Sequence, residues 1–211
     1  MDRERAFCIN LDREPHKYQA VTKEFSDIFD ITHISAVDGK QENIPGSLAL
    51  LQTNLQIFNS IIKDTSNPQY CIIIEDDIYK HTQFSETWPR IREFIKNPEN
   101  VWDFISLDFL LNFEKPTLEV YNDFLYKVGA SRMTGCMIYN VKFIRENIDY
   151  LNALTCLDMT MTQNATFIKL IPRNLIIRQL VNKVSLTANM NTNVYEKYYS
   201  DTELYLKNYK F

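Results

Sequence analysis

The stretch that most constrains this chain is Cys71 to Tyr79, which reads C-I-I-I-E-D-D-I-Y. Ile72, Ile73 and Ile74 form an unbroken branched apolar run. That is the pattern of a strand buried on both faces, the kind found in parallel sheets covered by helices. Glu75, Asp76 and Asp77 follow directly. An unpaired buried carboxylate is costly, so the strand has to deliver its three acids to water, to cations or to a metal ion. In open α/β sheets ligands bind beyond the carboxyl ends of the strands. The stretch therefore predicts a divalent-metal site at a strand end, against the plainer possibility that the acids solvate that end or favour a following helix N-terminus.

The flanking sequence supplies the sheet this strand needs. Ala6 to Leu11 reads as a first strand. Asp12-Arg13-Glu14-Pro15 ends it and opens a helix, with Pro suited to a first turn, and Tyr18, Val21, Thr22 and Phe25 make one face. Asp30 to Val37 alternates as a second strand, closed by the turn pair Asp38-Gly39. A strand, a helix and a strand in succession imply parallel pairing. Pro45-Gly46 leads into a helix striped by Leu48, Leu51, Leu55, Phe58, Ile61 and Ile62, which Ser66-Asn67-Pro68 stops.

After the acidic strand, Phe84 to Ile95 predicts a helix ended by Asn97-Pro98, and Trp102 to Leu107 a strand. Phe113 to Glu119 reads as a loop and Tyr121 to Gly129 as an excursion or hairpin. Arg132 to Tyr139 reads as a further strand in which Gly135 admits a close neighbour to its backbone. Val141 to Tyr150 and Leu157 to Ala165 predict helices, Phe167 to Leu170 a short strand, and Leu175 to Val184 a strand or an extended loop. Val194, Tyr198, Tyr205 and Tyr209 suggest an amphipathic C-terminal helix. The fold expected is α/β, with a Rossmann-like, mostly parallel sheet flanked by helices. Residues 1–187 form the domain, and 188–211 a helical tail packed on it.

Composition narrows the function. A net charge of −4 without a basic stripe argues against a nucleic-acid surface. With 4 glycines and no G-x-G-x-x-G or G-x-x-x-x-G-K, the fingerprints of dinucleotide and P-loop sites are missing. The 4 cysteines, Cys8, Cys71, Cys136 and Cys156, never form C-x-x-C, which fits a reducing compartment. The charged start M-D-R-E-R-A-F lacks the apolar core of a signal peptide, and no apolar run reaches membrane-spanning length, so a cytoplasmic protein is expected. His16, His33 and His81 are scattered without the spacing of a zinc site.

The order F-C-I-N-L-D-R (7–13), S-A-V-D-G (35–39), I-I-I-E-D-D (72–77) and W-D-F-I-S-L (102–107) resembles the family-25 glycosyltransferases. These include the lipopolysaccharide-biosynthesis galactosyl- and glucosyltransferases and the procollagen galactosyltransferases. M-T-G-C-M-I-Y, Leu157-Asp158 and I-P-R-N-L-I-I-R-Q with Ser185 are similar to later family segments, so the resemblance runs from about Ala6 to Thr187. It implies an A-type glycosyltransferase fold, a UDP-sugar donor and a divalent cation, Mn2+ or Mg2+. It also implies transfer of a hexose, galactose or glucose, to a hydroxyl of a glycan or protein. One departure stands out: where the family carries Ser-His on the helix after the second strand, this chain has L-L-Q-T, with Gln52 and Thr53 in those places.

Strand alternation sends Glu75 and Asp77 one way and Asp76 the other. Asp77 is then the expected metal ligand and Glu75 its partner near metal or ribose, with Asp76 assisting the donor or orienting a neighbour. Asn10, Leu11, Asp12 and Asp38, at neighbouring strand ends, are candidates to hold uracil and ribose, although Asp38-Gly39 equally serves a plain turn. Asp158 is the candidate base or acceptor anchor by the family's pattern, within the logic of proton removal from an acceptor hydroxyl. Arg132, with Arg178 and Lys183, is a candidate for the diphosphate, and Asp108 for the acceptor side. Two other readings remain open: a catalytically silent homologue that binds a sugar nucleotide or a partner protein, and a metal-dependent phosphoryl hydrolase.

Overall fold

The structure, a computed structural model, describes residues 3–111, 117–158, 166–180 and 192–209. The first half builds one α/β unit after another. Strand β1 (Glu4–Asn10) is followed by helix α1 (Pro15–Phe25), which starts on Pro15, and by β2 (Phe29–Ser35). Helix α2 (Gly46–Lys63) leads to β3 (Tyr70–Glu75), then to the short β4 (Ile78–Lys80) and helix α3 (Phe84–Lys96). The second half is more broken. It holds β5 (Phe104–Ser106), β6 (Leu110–Leu111), β7 (Leu118–Val120), β8 (Leu125–Val128), β9 (Ser131–Arg132) and β10 (Cys136–Asn140). Helix α4 (Val141–Asn152), β11 (Lys169–Pro172), β12 (Ile177–Gln179) and helix α5 (Thr192–Asn208) complete it. Asn140 caps α4, its side chain accepting from Lys142 N at 3.0 Å.

The central sheet has eight strands in the order β2-β1-β3-β10-β5-β11-β8-β7. Strands β1, β2, β3, β5, β11 and β7 run one way, and β10 and β8 run against them. The protein is thus mixed α/β with a large, mostly parallel sheet between helical layers. Alternation along β3 explains its apolar run. Ile72 and Ile74 face a cluster with Ala6, Cys8, Ile105 and Ile138, covered by Val21 and Phe25 of α1 and Phe84, Trp88 and Ile91 of α3. Cys71 and Ile73 face the opposite cluster with Phe7, Ile9 and Tyr139, covered by Leu51, Phe58 and Ile61 of α2 and Ile144 of α4. Each such isoleucine, taken wholly out of water, contributes about 1.5–3 kcal/mol.

Several elements differ from the sequence reading. Arg132 to Tyr139 is not one strand but β9 and β10, broken at Met133, whose φ of 83° takes the backbone out of the extended region. Strand β10 then enters antiparallel between β3 and β5, as β8 does between β11 and β7. Leu118 and Glu119, at the end of the segment expected as loop, belong with Val120 to β7, which pairs with β8 as a hairpin edge. The buried stripe of α5 is Tyr199, Thr202 and Leu206, flanked by Tyr195, Tyr198, Tyr205 and Tyr209. The register differs from the expected stripe because Thr202 is an inward polar residue, its hydroxyl taking Leu111 N–H at 3.3 Å. Of the predicted 157–165 helix only Leu157 and Asp158 are described, and both are helical. Lys183, Ser185, Thr187 and most of the predicted 113–119 loop lie outside the described residues, as does the end of the 175–184 segment.

Candidate active site

The parallel block brings the carboxyl ends of β1, β2, β3 and β5 to one rim. Glu75, the last residue of β3, and Asp76 and Asp77, in the turn to β4, divide there. Asp76 turns to β1, where its Oδ2 accepts from Asn10 Nδ2 at 2.5 Å. Glu75 turns the other way: its Oε1 accepts from Thr134 Oγ1 at 2.9 Å and its Oε2 from Gln179 Nε2 at 3.3 Å. Asp77 is anchored through its backbone, its carbonyl accepting from Leu180 N–H, while its Oδ1 is buried and accepts nothing from the described residues.

Two more acids join them. Asp108, just past β5, is 0% exposed. Its Oδ1 accepts from Tyr199 OH at 2.6 Å, and its Oδ2 is buried and without a partner among the described residues. Asp158 accepts from Met133 N–H at 3.0 Å, in the turn between β9 and β10. That turn closes over the cluster. Gly135 O accepts from Glu75 N at 2.8 Å, and a Cβ on Gly135 would stand 2.4 Å from Asp108 Oδ2. The close neighbour that Gly135 admits is the Asp108 carboxylate.

Charge and burial act together here. Burial, then the charge of Asp77, pushes the Glu75 carboxyl up to about 8 against the Thr134 hydrogen bond. Burial, then Asp76, pushes Asp77 up to about 7. Burial pushes Asp108 up to about 8, with Asp77 and Asp158 adding to it and the Tyr199 hydrogen bond opposing. Asp158 is raised by burial against the Met133 N–H and the charge of Arg132. Asp76 is raised by burial against its Asn10 hydrogen bond and Lys17. Among the described residues Glu75, Asp76, Asp77 and Asp108 form no ion pair, since Lys17 pairs with Glu14 and Arg178 with Glu203.

At the ends of β1 and β2 lies an open groove of about 440 Å³. Leu11, Asp12, Asp38, Ser35, Gln41 and Gln52 are among its walls. Asp12 Oδ2 accepts from Ser35 Oγ at 2.5 Å. Asp38 is held at the turn by Lys40 N–H, at 3.0 Å, and by an ion pair with Arg13. Asn10 stands behind this wall, buried, spending its amide on Asp76, Glu14 O and His33. Arg132 is exposed on β9. Arg178 pairs with Glu203 and Glu196 and lies over the Tyr199 ring. In the L-L-Q-T stretch, Gln52 reaches the groove, whereas Thr53 is wholly buried, donating to Ala49 O and accepting from Val37 N.

Glu75, Asp76, Asp77, Asp108 and Asp158 thus lie near enough for their charges to be felt from one to the next, with Asp76 tied to Asn10 of β1. Sequence reasoning missed Thr134, Gln179 and Tyr199 as residues touching these acids. Thr134 and Gln179 lay inside quoted motifs and could have been flagged as polar residues in apolar strands. Nothing local marks Tyr199 out from the other tyrosines of the tail.

No protein-family profile and no curated protein matches the chain. Among solved structures it is similar to A197 from STIV, at 8% identity over 81% of each chain with a TM-score of 0.39. It is also similar to the inositol-1-phosphate CTP transferase from T. maritima, at 11% identity over 97% of this chain and 78% of that one, with a TM-score of 0.40. Similarity of this degree carries no conclusion about activity, which rests on the residues of the site.

Proposed function

We propose that the protein is a metal-dependent glycosyltransferase of the family-25 type, moving a hexose, galactose or glucose, from a UDP-sugar to a hydroxyl of a glycan or protein. The observation that carries this reading is the pair of orphaned, buried carboxylate oxygens, Asp77 Oδ1 and Asp108 Oδ2, in a fold that also opens a polar groove at the ends of β1 and β2. Buried acids without cations are stable only when protonated or when they share a cation. All-oxygen ligands suit a hard divalent ion such as Mn2+ or Mg2+. Among the described residues no three His, Cys, Asp or Glu side chains are placed as a ready-made ligand set, so Asp77, with Glu75 and Asp108, would have to close on the ion. When bound, such an ion neutralises the departing diphosphate.

The chain's own groups supply the rest of the proposal. The groove formed by Leu11, Asp12, Ser35, Asp38 and Gln52 takes the uridine, and Asn10 ties Asp76 to the end of β1. Arg132 meets the diphosphate from β9. Asp158, its carboxyl raised by burial, takes the acceptor's proton. A second reading, nucleotide-sugar binding without turnover, is favoured by Thr53. Its hydroxyl is consumed by Val37 N and Ala49 O, which leaves only Gln52 to act from that helix face.

Calorimetric titration with UDP, in Mn2+ and in EDTA, tests the proposal. Binding only in Mn2+, lost in Asp77→Ala with the fold intact, is the expected result; equal binding in EDTA refutes it. Release of UDP from a panel of UDP-sugars then separates turnover from silent binding.

A further inference from the structure

Helix α5 comes last in the chain and lies on the far edge of the core, with Tyr199 and Leu206 packed against Phe109, Leu110 and Ile171. One of its side chains nevertheless reaches the acids. Tyr199 is 0% exposed, and its hydroxyl lies 2.6 Å from Asp108 Oδ1 and 3.1 Å from Gln179 N. A backbone N–H can only donate, so the phenol accepts from Gln179, and toward an ionised Asp108, which can only accept, it donates its single proton. With Asp108 ionised, as a cation ligand is, the direction of this chain is fixed, and a short O–H···O bond to a carboxylate is among the stronger kinds. Its effect on Asp108 is specific. Oδ1 is occupied, the carboxylate plane is set, and Oδ2, orphaned and buried, is left facing Gly135.

The same segment reaches the other acids. Gln179 Nε2 donates to Glu75 Oε2 at 3.3 Å, and Leu180 N–H donates to the Asp77 carbonyl. Arg178 lies 5.2 Å from the centre of the Tyr199 ring and is itself held to α5 by Glu203 at 2.6 Å.

We propose that Tyr199 is a positioning residue of the acid cluster, orienting Asp108 so that it offers one oxygen, Oδ2, to a divalent cation, and that α5 is thereby part of the site. This rests on the cation-dependent reading above. The test uses the full chain with Tyr199→Phe, which keeps the ring and removes only the hydroxyl, and Thr202→Val as the control. Thr202 docks α5 through Leu111 N–H and does not touch Asp108. Mn2+ affinity is read by calorimetry. Expected are a tenfold or greater loss in Tyr199→Phe, a change within twofold in Thr202→Val, and no further loss when Tyr199→Phe is added to Asp108→Asn. Wild-type affinity in Tyr199→Phe, or an equal loss in both single variants, overturns the proposal. If the wild type binds no Mn2+, the functional reading falls by itself, and a stability cycle decides the positioning. Unfolding constants of Tyr199→Phe and Asp108→Asn that fail to multiply in the double variant sustain it, and constants that multiply overturn it.

Discussion

The acid cluster predicts an inverted dependence of stability on pH. In the unfolded chain Asp108, Asp77 and Glu75 ionise near their ordinary values, 3.8 for aspartate and 4.5 for glutamate; in the fold burial moves them up to about 8, 7 and 8. Between these limits the folded state holds protons that the unfolded state has released, so stability is full below about pH 4 for these groups and falls as pH rises toward 8. Moving one carboxyl from 3.8 to about 8, as for Asp108, corresponds to roughly 6 kcal/mol at about 1.4 kcal/mol per pH unit. The three acids feel one another's charge, so their effects do not add, and this single-carboxyl figure sets only the scale for the cluster. Glu4 works the other way. Burial raises its carboxyl, but Lys96, Tyr70 and Arg92 together bring it below its ordinary value, so its contribution is lost as pH falls below that value.

Urea unfolding in EDTA at pH 5, 6, 7 and 8 measures the effect. The midpoint should fall steadily from pH 5 to 8, and Asp108→Asn, which keeps an oxygen for Tyr199 and cannot ionise, should flatten the slope and raise the midpoint at pH 8. A midpoint that rises or stays level over this range in the wild type, or an Asp108→Asn slope equal to it, would refute the reasoning. Adding Mn2+ at pH 8 should restore the midpoint if the cation binds the folded state, by an amount that grows with the logarithm of its concentration.

Other consequences are more local. Gly135→Ala places a methyl 2.4 Å from Asp108 Oδ2, which Tyr199 holds in place. A loss of about 1–3 kcal/mol is expected in urea unfolding, as for other overpacked sites, and a wild-type midpoint would show that Asp108 is free to move. Thr53→Val keeps the shape of the side chain but strips Val37 N–H of its 3.0 Å acceptor. It should cost about 1–3 kcal/mol in the same assay while leaving nucleotide affinity nearly unchanged, because the Thr53 hydroxyl is turned into the fold.

The first half of the fold is legible because its signals are local. The Ile72–Ile74 run, the Pro15 helix start and the alternation of 30–37 each depend on neighbours within a few residues, and β1, α1, β2, α2 and β3 follow from them. The separation of Asp76 from Glu75 does not come from strand alternation, because β3 ends at Glu75 and Asp76 and Asp77 lie in the turn to β4. What is not legible comes from contacts distant in sequence. Tyr199 meets Asp108 across 91 residues and Gln179 meets Glu75 across 104, and no periodicity encodes a partner so far away. The antiparallel entry of β10 is of the same kind. Its residues fit a buried strand in either direction, and only the turn at Met133, held by Asp158, decides which. The start of β7, Leu118 and Glu119, falls inside the expected 113–119 loop because an edge strand carrying Glu119 has the polarity of a surface segment.

The arrangement of cations around the cluster bears on whether these acids serve stability or function. Removing one partner of a buried charge is costly, whereas a neutral, well-packed replacement is often neutral or stabilising. Lys17 and Arg178 both stand close enough for their charges to be felt by the acids, yet they are directed to Glu14 and Glu203. Asp77 is left with an orphaned oxygen and like charges around it. If the cluster were there for the fold, Asp77→Asn would break something and destabilise the protein. If it is held in strain for a ligand, the same change relieves repulsion. Asp77→Asn is therefore expected to raise the unfolding midpoint at pH 8 in EDTA, by some part of the roughly 4 kcal/mol that moving a carboxyl from 3.8 to about 7 represents, and at the same time to abolish Mn2+-dependent UDP binding. A gain in stability with a loss of binding is the signature of a site that trades one for the other; destabilisation at pH 8 would assign Asp77 to the architecture instead.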